Sequence, residues 1–474
     1  MAIRFGTDGW RGVIGDDFTY ERVRWAAAGI ARCLGSGAVV VGYDRRFSSE
    51  LFAEEVARVL AGHGLQALLF DRATPTQVAC WTVVDRGAAG AVIVTASHNP
   101  YIFNGLKFRP ETGSSAPPEL IARLEEAIAD VSASDSRVQR AEPGDPRIQR
   151  IDPRPSYFRQ VGRMVDLAWI RQAGLDLVHE AMHGSGAGYV AELVGGEATR
   201  ITDLHPDRNP WFGGVNPEPI PANLGEALRA MAGGVHDLAI CTDGDADRVG
   251  IIDERGRFVN QLQVFGLLLR YLVEVRQWRA AIVKSINMTF MADRLAERYG
   301  LAVHEVPIGF KSIAPRMMEV GAMLGGEESG GFAFKGHIPE RDGLLAGLFL
   351  ADYISRTGRR LSELIDELAE LAGPSAYDRH DHHLPRDSYP EERRRILGLL
   401  AERTPREVAG VAVVGIRNDD GYKFNLSDGS WVLLRASGTE PLIRVYSEAA
   451  TAGEVAARLA ALEEIVGLDE LVPA

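Results

Sequence analysis

The chain has 474 residues, 46% hydrophobic and 25% charged, with a formal net charge of −13. Single hydrophobic cores stop growing near ~250–300 residues, so two to four domains are expected. The acidic balance argues against a general nucleic-acid or anionic-membrane binder, but a local cluster of Arg and Lys can still hold an anionic substrate.

The three cysteines, Cys33, Cys80 and Cys241, lie far apart with no CxxC spacing. They give no disulfide framework and suit a reducing compartment. The opening MAIRFGTDGW lacks an apolar signal core, and no apolar run reaches the ~20 residues that cross a bilayer. The expected setting is the cytoplasm.

Taken in chain order, AVVVGYD (38–44) reads as a strand. SSELFAEEVARVLAGHG (48–64) reads as a helix with a serine cap and a glycine stop. QALLFD (66–71) and AVIVTAS (91–97) are further strands. Near-continuous apolar strands separated by helices indicate βαβ units and a largely parallel sheet. The polar stretch 132–155, with its prolines and glycine, reads as an exposed linker.

A second unit follows. DLVHEAMHGSGAGYVAELV (176–194) reads as strand, tight glycine turn and helix, and HDLAICTDGDADRVGIID (236–253) as two strands flanking an acidic loop. A third unit has a strand at 280–286 and a helix at 290–300. Beyond residue 371 the pattern changes to strands joined by turns at Asp420-Gly421 and Asp428-Gly429, then a terminal helix. His380, His382 and His383 fall in a polar stretch that reads as solvated linker rather than metal site. The expected architecture is three similar α/β domains with mixed sheets plus a C-terminal α+β domain. The expected ranges are 1–140, 150–250, 251–370 and 378–474.

Four loops carry chemistry-bearing residues. In VIVTASHNP (92–100) an apolar strand runs into Ser97 and His98, and Asn-Pro then forces a turn. A serine needs an activating base or metal to act as a nucleophile; the plainer alternative is a strand exit with a capping serine. In Asp243-Gly-Asp245-Ala246-Asp247-Arg248, three carboxylates at i, i+2 and i+4 can converge on one hard divalent cation. Three like charges between apolar strands are costly without one. An EF-hand is rejected because its Gly position holds Arg248, although Glu254 matches its Glu position, and because strands rather than helices flank the loop. Gly325-Gly326-Glu327-Glu328-Ser329-Gly330-Gly331 offers flexible backbone with sugar-hydroxyl partners. Arg435-Ala-Ser437-Gly438-Thr439-Glu-Pro441 is a reasonable phosphate cradle, though not a P-loop. On its own the third loop reads as a mobile hairpin turn, and the fourth reads equally well as a charged turn.

TASHNP, DGDADR, GGEESGG and RASGTEP occur in this order at wide spacing, after the opening FGTDGWRG (5–12). The set resembles the α-D-phosphohexomutase family of bacterial phosphoglucomutase/phosphomannomutase type, over nearly the whole chain. That resemblance implies four domains around a central cleft, one loop from each. It implies a phosphoserine at Ser97, and Mg²⁺ held by Asp243, Asp245, Asp247 and a phosphate oxygen on Ser97. It implies Lys107 as general acid/base, with a lowered pKa from nearby Arg248 and the metal. Arg11, His98 and Arg248 would stand near the phosphoserine. Glu327 and Ser329 would read sugar hydroxyls. Arg435, Ser437, Gly438 and Thr439 would hold the phosphate that is not transferred.

The implied reaction interconverts hexose 1-phosphate and hexose 6-phosphate through a 1,6-bisphosphate, with glucose 1,6-bisphosphate as activator. The implied partner is a small phosphosugar, and the implied assembly a monomer or weak homodimer. Glucosamine-specific members of the family end the sugar loop in Gln-Ser-Gly-His, and one glucose/mannose branch in Met-Ser-Gly-His. Glu-Ser-Gly-Gly here, with Phe310-Lys311, resembles the phosphoglucomutase branch, so glucose is expected, with mannose as a second substrate. FGTDG and the Gly-Thr-Glu-Pro turn are shared with glucosamine mutases, which keeps phosphoglucosamine mutase as the alternative. Ala246 replaces the commoner family glycine, with little effect expected on metal binding. Outside the family the alternatives are a metal-dependent sugar phosphatase and a non-catalytic phosphosugar sensor. A sensor would have lost Ser97, the Asp trio or Lys107, and all are present.

Overall fold

The protein is described by a computed structural model covering residues 2–6, 8–134, 138–438 and 441–468. These residues build four sheets. The first holds β1 (Trp10–Val13), β2 (Ala38–Tyr43), β3 (Gln66–Phe70), β4 (Gly90–Val94), β5 (Phe103–Pro110) and β6 (Ile148–Ile151), in the order β1-β5-β4-β2-β3-β6. The second holds β7 (Asp176–Glu180), β8 (Arg200–Leu204), β9 (Leu238–Thr242), β10 (Val249–Asp253) and β11 (Phe258–Val259), ordered β11-β10-β9-β7-β8. The third is β13-β12-β14-β15, from β12 (Ile282–Ser285), β13 (Val303–Val306), β14 (Leu324–Glu327) and β15 (Gly331–Phe334).

These three sheets share a plan. In each, the strands β3-β2-β4-β5, β8-β7-β9-β10 or β13-β12-β14-β15 begin with three parallel neighbours and end with an antiparallel one. The antiparallel pair is a hairpin, and its connection is one of the loops singled out above. Val39, Val40 and Val41 of β2 and Ala91 and Val92 of β4 are fully buried, which is why these strands read as unbroken apolar runs.

The fourth sheet is antiparallel throughout: β16 (Ala376–His383), β17 (Glu407–Val408), β18 (Val411–Arg417), β19 (Tyr422–Leu426), β20 (Trp431–Ala436) and β21 (Leu442–Ala449), ordered β16-β21-β20-β19-β18-β17. Its β20–β21 hairpin carries the fourth loop. The helix Ala452–Val466 lies on β16, β20 and β21, capped by Thr451 and Glu454.

The cores divide accordingly. One belongs to the first unit, a second runs through the second and third units, and a third is confined to the C-terminal unit around Phe424, Val432, Leu459 and Leu462. Among the described residues no helix is long and apolar enough to cross a membrane, and the three cysteines are unpaired.

Three local expectations change. The helix Ser49–Gly62 forms, but Ser48 sits in the left-handed region at φ 60° and gives it no side-chain cap. Ser49 instead donates to Asp44 at 2.6 Å. The stretch read as linker contributes β6, paired parallel to β3, while Ala141 accepts from Arg58 at 2.9 Å. The polar histidine stretch is β16, hydrogen-bonded along its whole length to β21.

Candidate active site

The connection between β4 and β5 places Ser97 just past the strand end, 1% exposed and at φ 51°. A non-glycine residue there costs about 1–3 kcal/mol, so its surroundings must hold it. Arg46, fully buried, does so. Its guanidinium donates to the carbonyls of Ser97 and Asn99 at 2.6 Å, Pro100 at 2.9 Å and Phe103 at 3.1 Å. Asp44 secures Arg46 and accepts from Thr95, whose hydroxyl in turn accepts from the Ser97 backbone at 2.9 Å. Arg11 donates to Asn99 at 2.5 Å.

The Ser97 hydroxyl donates to Asp243 Oδ2 at 2.7 Å, while His98 Nδ1 stands 3.5 Å away. Burial and then the cations Arg248, Arg11, Arg46 and Lys107 hold His98 well below the usual imidazole range. It is neutral and poorly placed as a base.

The second hairpin, β9–β10, brings the acidic loop against Ser97. The approach is so close that a Cβ on Gly244 would lie 2.5 Å from the Ser97 carbonyl oxygen. Asp243, Asp245 and Asp247 are fully buried and their ligand atoms lie within 4.8 Å of one another. Burial, then Asp245 and Asp247, push Asp243 well above the usual carboxyl range. Asp245 Oδ1 and Asp247 Oδ1 are buried with no hydrogen-bond partner. Hard oxygen donors, mutual repulsion and two orphaned oxygens fit a divalent cation such as Mg²⁺. Ala246, between the last two ligands, stands at φ 59°, the conformation for which glycine is the easier residue.

Lys107, on β5, lies 2.8 Å from each of Asp8, Asp245 and Asp247. Burial alone would lower its pKa, but Asp245, Asp247 and Asp8 outweigh it and hold the amine raised. The expectation of a lowered Lys107 is therefore reversed in this arrangement: Arg248 is not among its leading influences, and three carboxylates are.

The third hairpin adds Glu327 at the end of β14, accepting from Ser329 at 2.9 Å. It joins the other loops through Arg341. This buried guanidinium lies 2.6 Å from Asp8, 3.0 Å from Asp247, 3.2 Å from Glu327 and 3.1 Å from Glu340. One side chain thus ties the first, second and third units at a single point. Lys311 lines a cavity of about 290 Å³ with Phe5, Asp8 and Arg109.

The fourth loop stands apart. Arg435 donates to Asp420 Oδ1 at 2.9 Å, and the other Asp420 oxygen accepts from the Ile308 backbone of the third unit at 2.8 Å. The Ser437 backbone donates to Leu442 at 2.8 Å, its carbonyl accepts from the Tyr389 hydroxyl, and Gly438 is exposed. Thr439 lies outside the described residues.

Models of phosphoglucomutase/phosphomannomutase alpha/beta/alpha domains I, II and III match residues 2–135, 155–256 and 260–371, and the C-terminal domain model matches 397–465. The chain belongs to the phosphoglucomutase/phosphomannomutase family. It is a phosphohexomutase-family enzyme, an isomerase by class, and the resemblance read from its motifs holds. A phosphoglucomutase/phosphomannomutase of Thermococcus kodakarensis is 30% identical over 460 residues, covering 95% of both chains. A phosphoglucosamine mutase of Rubrobacter xylanophilus is 29% identical over 452 residues, 94% of this chain and 93% of that one. A solved structure from Thermus thermophilus, provisionally assigned as a phosphomannomutase, superposes with a TM-score of 0.86 at 35% identity, over 98% of this chain and 99% of that one.

Ser97, His98, Arg11, Lys107, Arg248 and the Asp trio thus come together, and Glu327 joins them. Sequence reading passed over Arg46, Thr76, Asp8 and Arg341. Thr76 donates to Asp245 at 2.6 Å. Asp8 sits inside FGTDG and could have been flagged from that motif. Arg46, Thr76 and Arg341 had no local signal, because their partners lie tens to hundreds of residues away.

Proposed function

We propose that this phosphohexomutase interconverts glucose 1-phosphate and glucose 6-phosphate, with mannose phosphates as second substrates, by phosphoryl exchange at Ser97. The observation that carries the reading is the Ser97 hydroxyl on Asp243, within a buried cluster in which Asp245 and Asp247 of the acidic loop meet Lys107 and Asp247 also meets Arg341, with Arg46 holding the Ser97 loop. Phosphoryl transfer needs in-line positioning and charge neutralisation more than covalent chemistry, and this cluster provides both.

In the proposed cycle, phospho-Ser97 gives its phosphoryl group to the free hydroxyl of a hexose monophosphate. The P–O bond to Ser97 breaks as the P–O bond to the sugar forms, and the hydroxyl proton passes to Lys107, neutral once its carboxylates are engaged elsewhere. The 1,6-bisphosphate turns end for end, and its other phosphoryl group returns to Ser97. Glucose 1,6-bisphosphate would prime the serine in the same way. Mg²⁺ held by Asp243, Asp245, Asp247 and a phosphoryl oxygen on Ser97 would neutralise charge on the transferring group.

Arg11 and Arg248 face the same group. Lys107 stands charged among its carboxylates and contributes a further cation; engagement of those carboxylates elsewhere would free it to exchange a proton with the sugar hydroxyl. Glu327 and Ser329, with Lys311 at the cavity, would hold the sugar hydroxyls. Arg435, Ser437, Gly438 and Thr439 would grip the distal phosphate. The preference for glucose rests on the sugar loop Glu327-Glu328-Ser329-Gly330-Gly331 and on Phe310-Lys311, which resemble the phosphoglucomutase branch.

Phosphoglucosamine mutase is the second reading, favoured by relatives of similar identity that carry that name. The reading also keeps the enzyme cytoplasmic, as a monomer or weak homodimer. The test is parallel turnover of glucose 1-phosphate and glucosamine 1-phosphate, with Mg²⁺ and trace bisphosphate. Faster glucose turnover that vanishes in Ser97→Ala supports the proposal. Faster glucosamine turnover would overturn the sugar assignment and keep the mechanism. Release of inorganic phosphate without isomer would make the chain a phosphatase.

A further inference from the structure

Two histidines of β16 and one carboxylate of the last helix form a second cluster. His380 and His382, at i and i+2 on a strand, project from the same face. That face looks onto Glu463. Glu463 Oε1 meets His380 Nδ1 at 2.7 Å and His382 Nε2 at 2.8 Å, and the three ligand atoms lie within 4.8 Å of one another. Arg379 and Asp381, the odd residues beside and between them, face the other way, toward Glu328 and Arg444.

The carboxylate is the odd member. Its side chain is only 11% exposed, and among the described residues no Lys or Arg pairs with it. Its only counter-charges are two imidazoles, whose charge is conditional on pH. Two imidazole nitrogens and one carboxylate oxygen converging from rigid elements, with the fourth side open to solvent through His380, are the donor set of a tetrahedral transition-metal site. Mg²⁺ prefers all-oxygen ligands, so this cluster and the Asp trio select different ions.

We propose that His380, His382 and Glu463 bind a borderline divalent metal of the Zn²⁺ class, which staples β16 to the helix Ala452–Val466. The staple lies beside the distal-phosphate loop, because His382 pairs in register with Ile443, just after that loop. Metal loading would stiffen the unit that carries the loop without touching the reaction centre.

The test is calorimetric titration of the full-length chain with Zn²⁺ in millimolar Mg²⁺, after removal of adventitious metal. Wild type should bind one more Zn²⁺ than the His380→Ala/His382→Ala double variant. His382→Ala alone should weaken that ion at least ~10–100-fold. Co²⁺ should give visible absorption bands that the double variant lacks and that Asp243→Asn and His383→Ala retain. Loss of both imidazoles strips Glu463 of its hydrogen-bond partners, so melting in chelator should fall somewhat, and a far-UV circular dichroism spectrum matching wild type serves as the folding control. Equal Zn²⁺ stoichiometry and affinity in wild type and double variant would overturn the proposal, as would loss of the Co²⁺ bands in His383→Ala.

Discussion

Around Ser97, each carboxylate of the acidic loop is fully buried and met by a hydroxyl or cation from another part of the chain, whereas Arg435, Ser437 and Gly438 lie half-buried or exposed on a sheet with its own core. The first region is welded. Arg341 bridges three units, and Arg46 fixes four carbonyls of the Ser97 loop. The second region joins the third unit largely through polar latches: Arg379 to Glu328, Arg417 and Lys423 to Glu305, and Thr289 to Glu448. A few apolar contacts at Trp431, Leu433 and Tyr446 supplement them. The contrast fits the proposed cycle. A transferring group needs a preorganised setting, while an intermediate that must turn over needs a grip that can be released.

This contrast predicts opposite mutational signatures. Ser97→Ala should lower kcat by about 10⁴-fold or more with little change in melting, because alanine leaves the left-handed backbone of the loop as it is. Arg341→Ala should damage the welded region itself. It leaves Asp8, Asp247, Glu327 and Glu340 short of a cation in a buried site, for which about 3–5 kcal/mol of destabilisation is expected from chemical unfolding. Arg435→Ala should instead cost about 10–100-fold in kcat/KM with under about 1 kcal/mol of stability, because its ion pair with Asp420 is partly solvated. If Arg435→Ala destabilises as strongly as Arg341→Ala, the distinction between the two ends is wrong.

The welded end was partly legible in the sequence, since Ser97 and the Asp trio sit in contiguous motifs at strand ends. Arg341 was not, because its contact with Asp8 spans the chain from the opening motif to the third unit. That the three α/β units are similar was expected, but their common strand order was not readable from the sequence. The shared plan resides in strand order and hairpin placement, while the loops between equivalent strands differ in length and composition. The polar strands failed for a related reason. β6 (IQRI) and β16 (AYDRHDHH) are paired edge strands whose side chains meet ions and water, so neither shows the alternation that marks a half-buried strand.

Smaller effects sharpen the picture. His98 should stay neutral in the unphosphorylated chain. Its folded-state pKa is depressed, so the folded protein resists the proton that the unfolded chain accepts below about pH 6.5. Imidazole NMR signals of His98 should show no titration step between about pH 8 and 5, whereas His98→Asn should lessen acid sensitivity over the lower part of that range. Ala246→Gly should change stability by less than about 1 kcal/mol, because relief of the left-handed alanine is offset by the greater freedom of glycine when unfolded.

The central claim is that Ser97 carries the phosphoryl group and gives it to the sugar. Enzyme bearing a radiolabelled phosphoryl group on Ser97 would be mixed with unlabelled glucose 1-phosphate and the products separated. The account predicts label in the 1,6-bisphosphate and then in glucose 6-phosphate, with none in inorganic phosphate. Label that stays on the protein while isomerisation proceeds, or that leaves as inorganic phosphate, would contradict it.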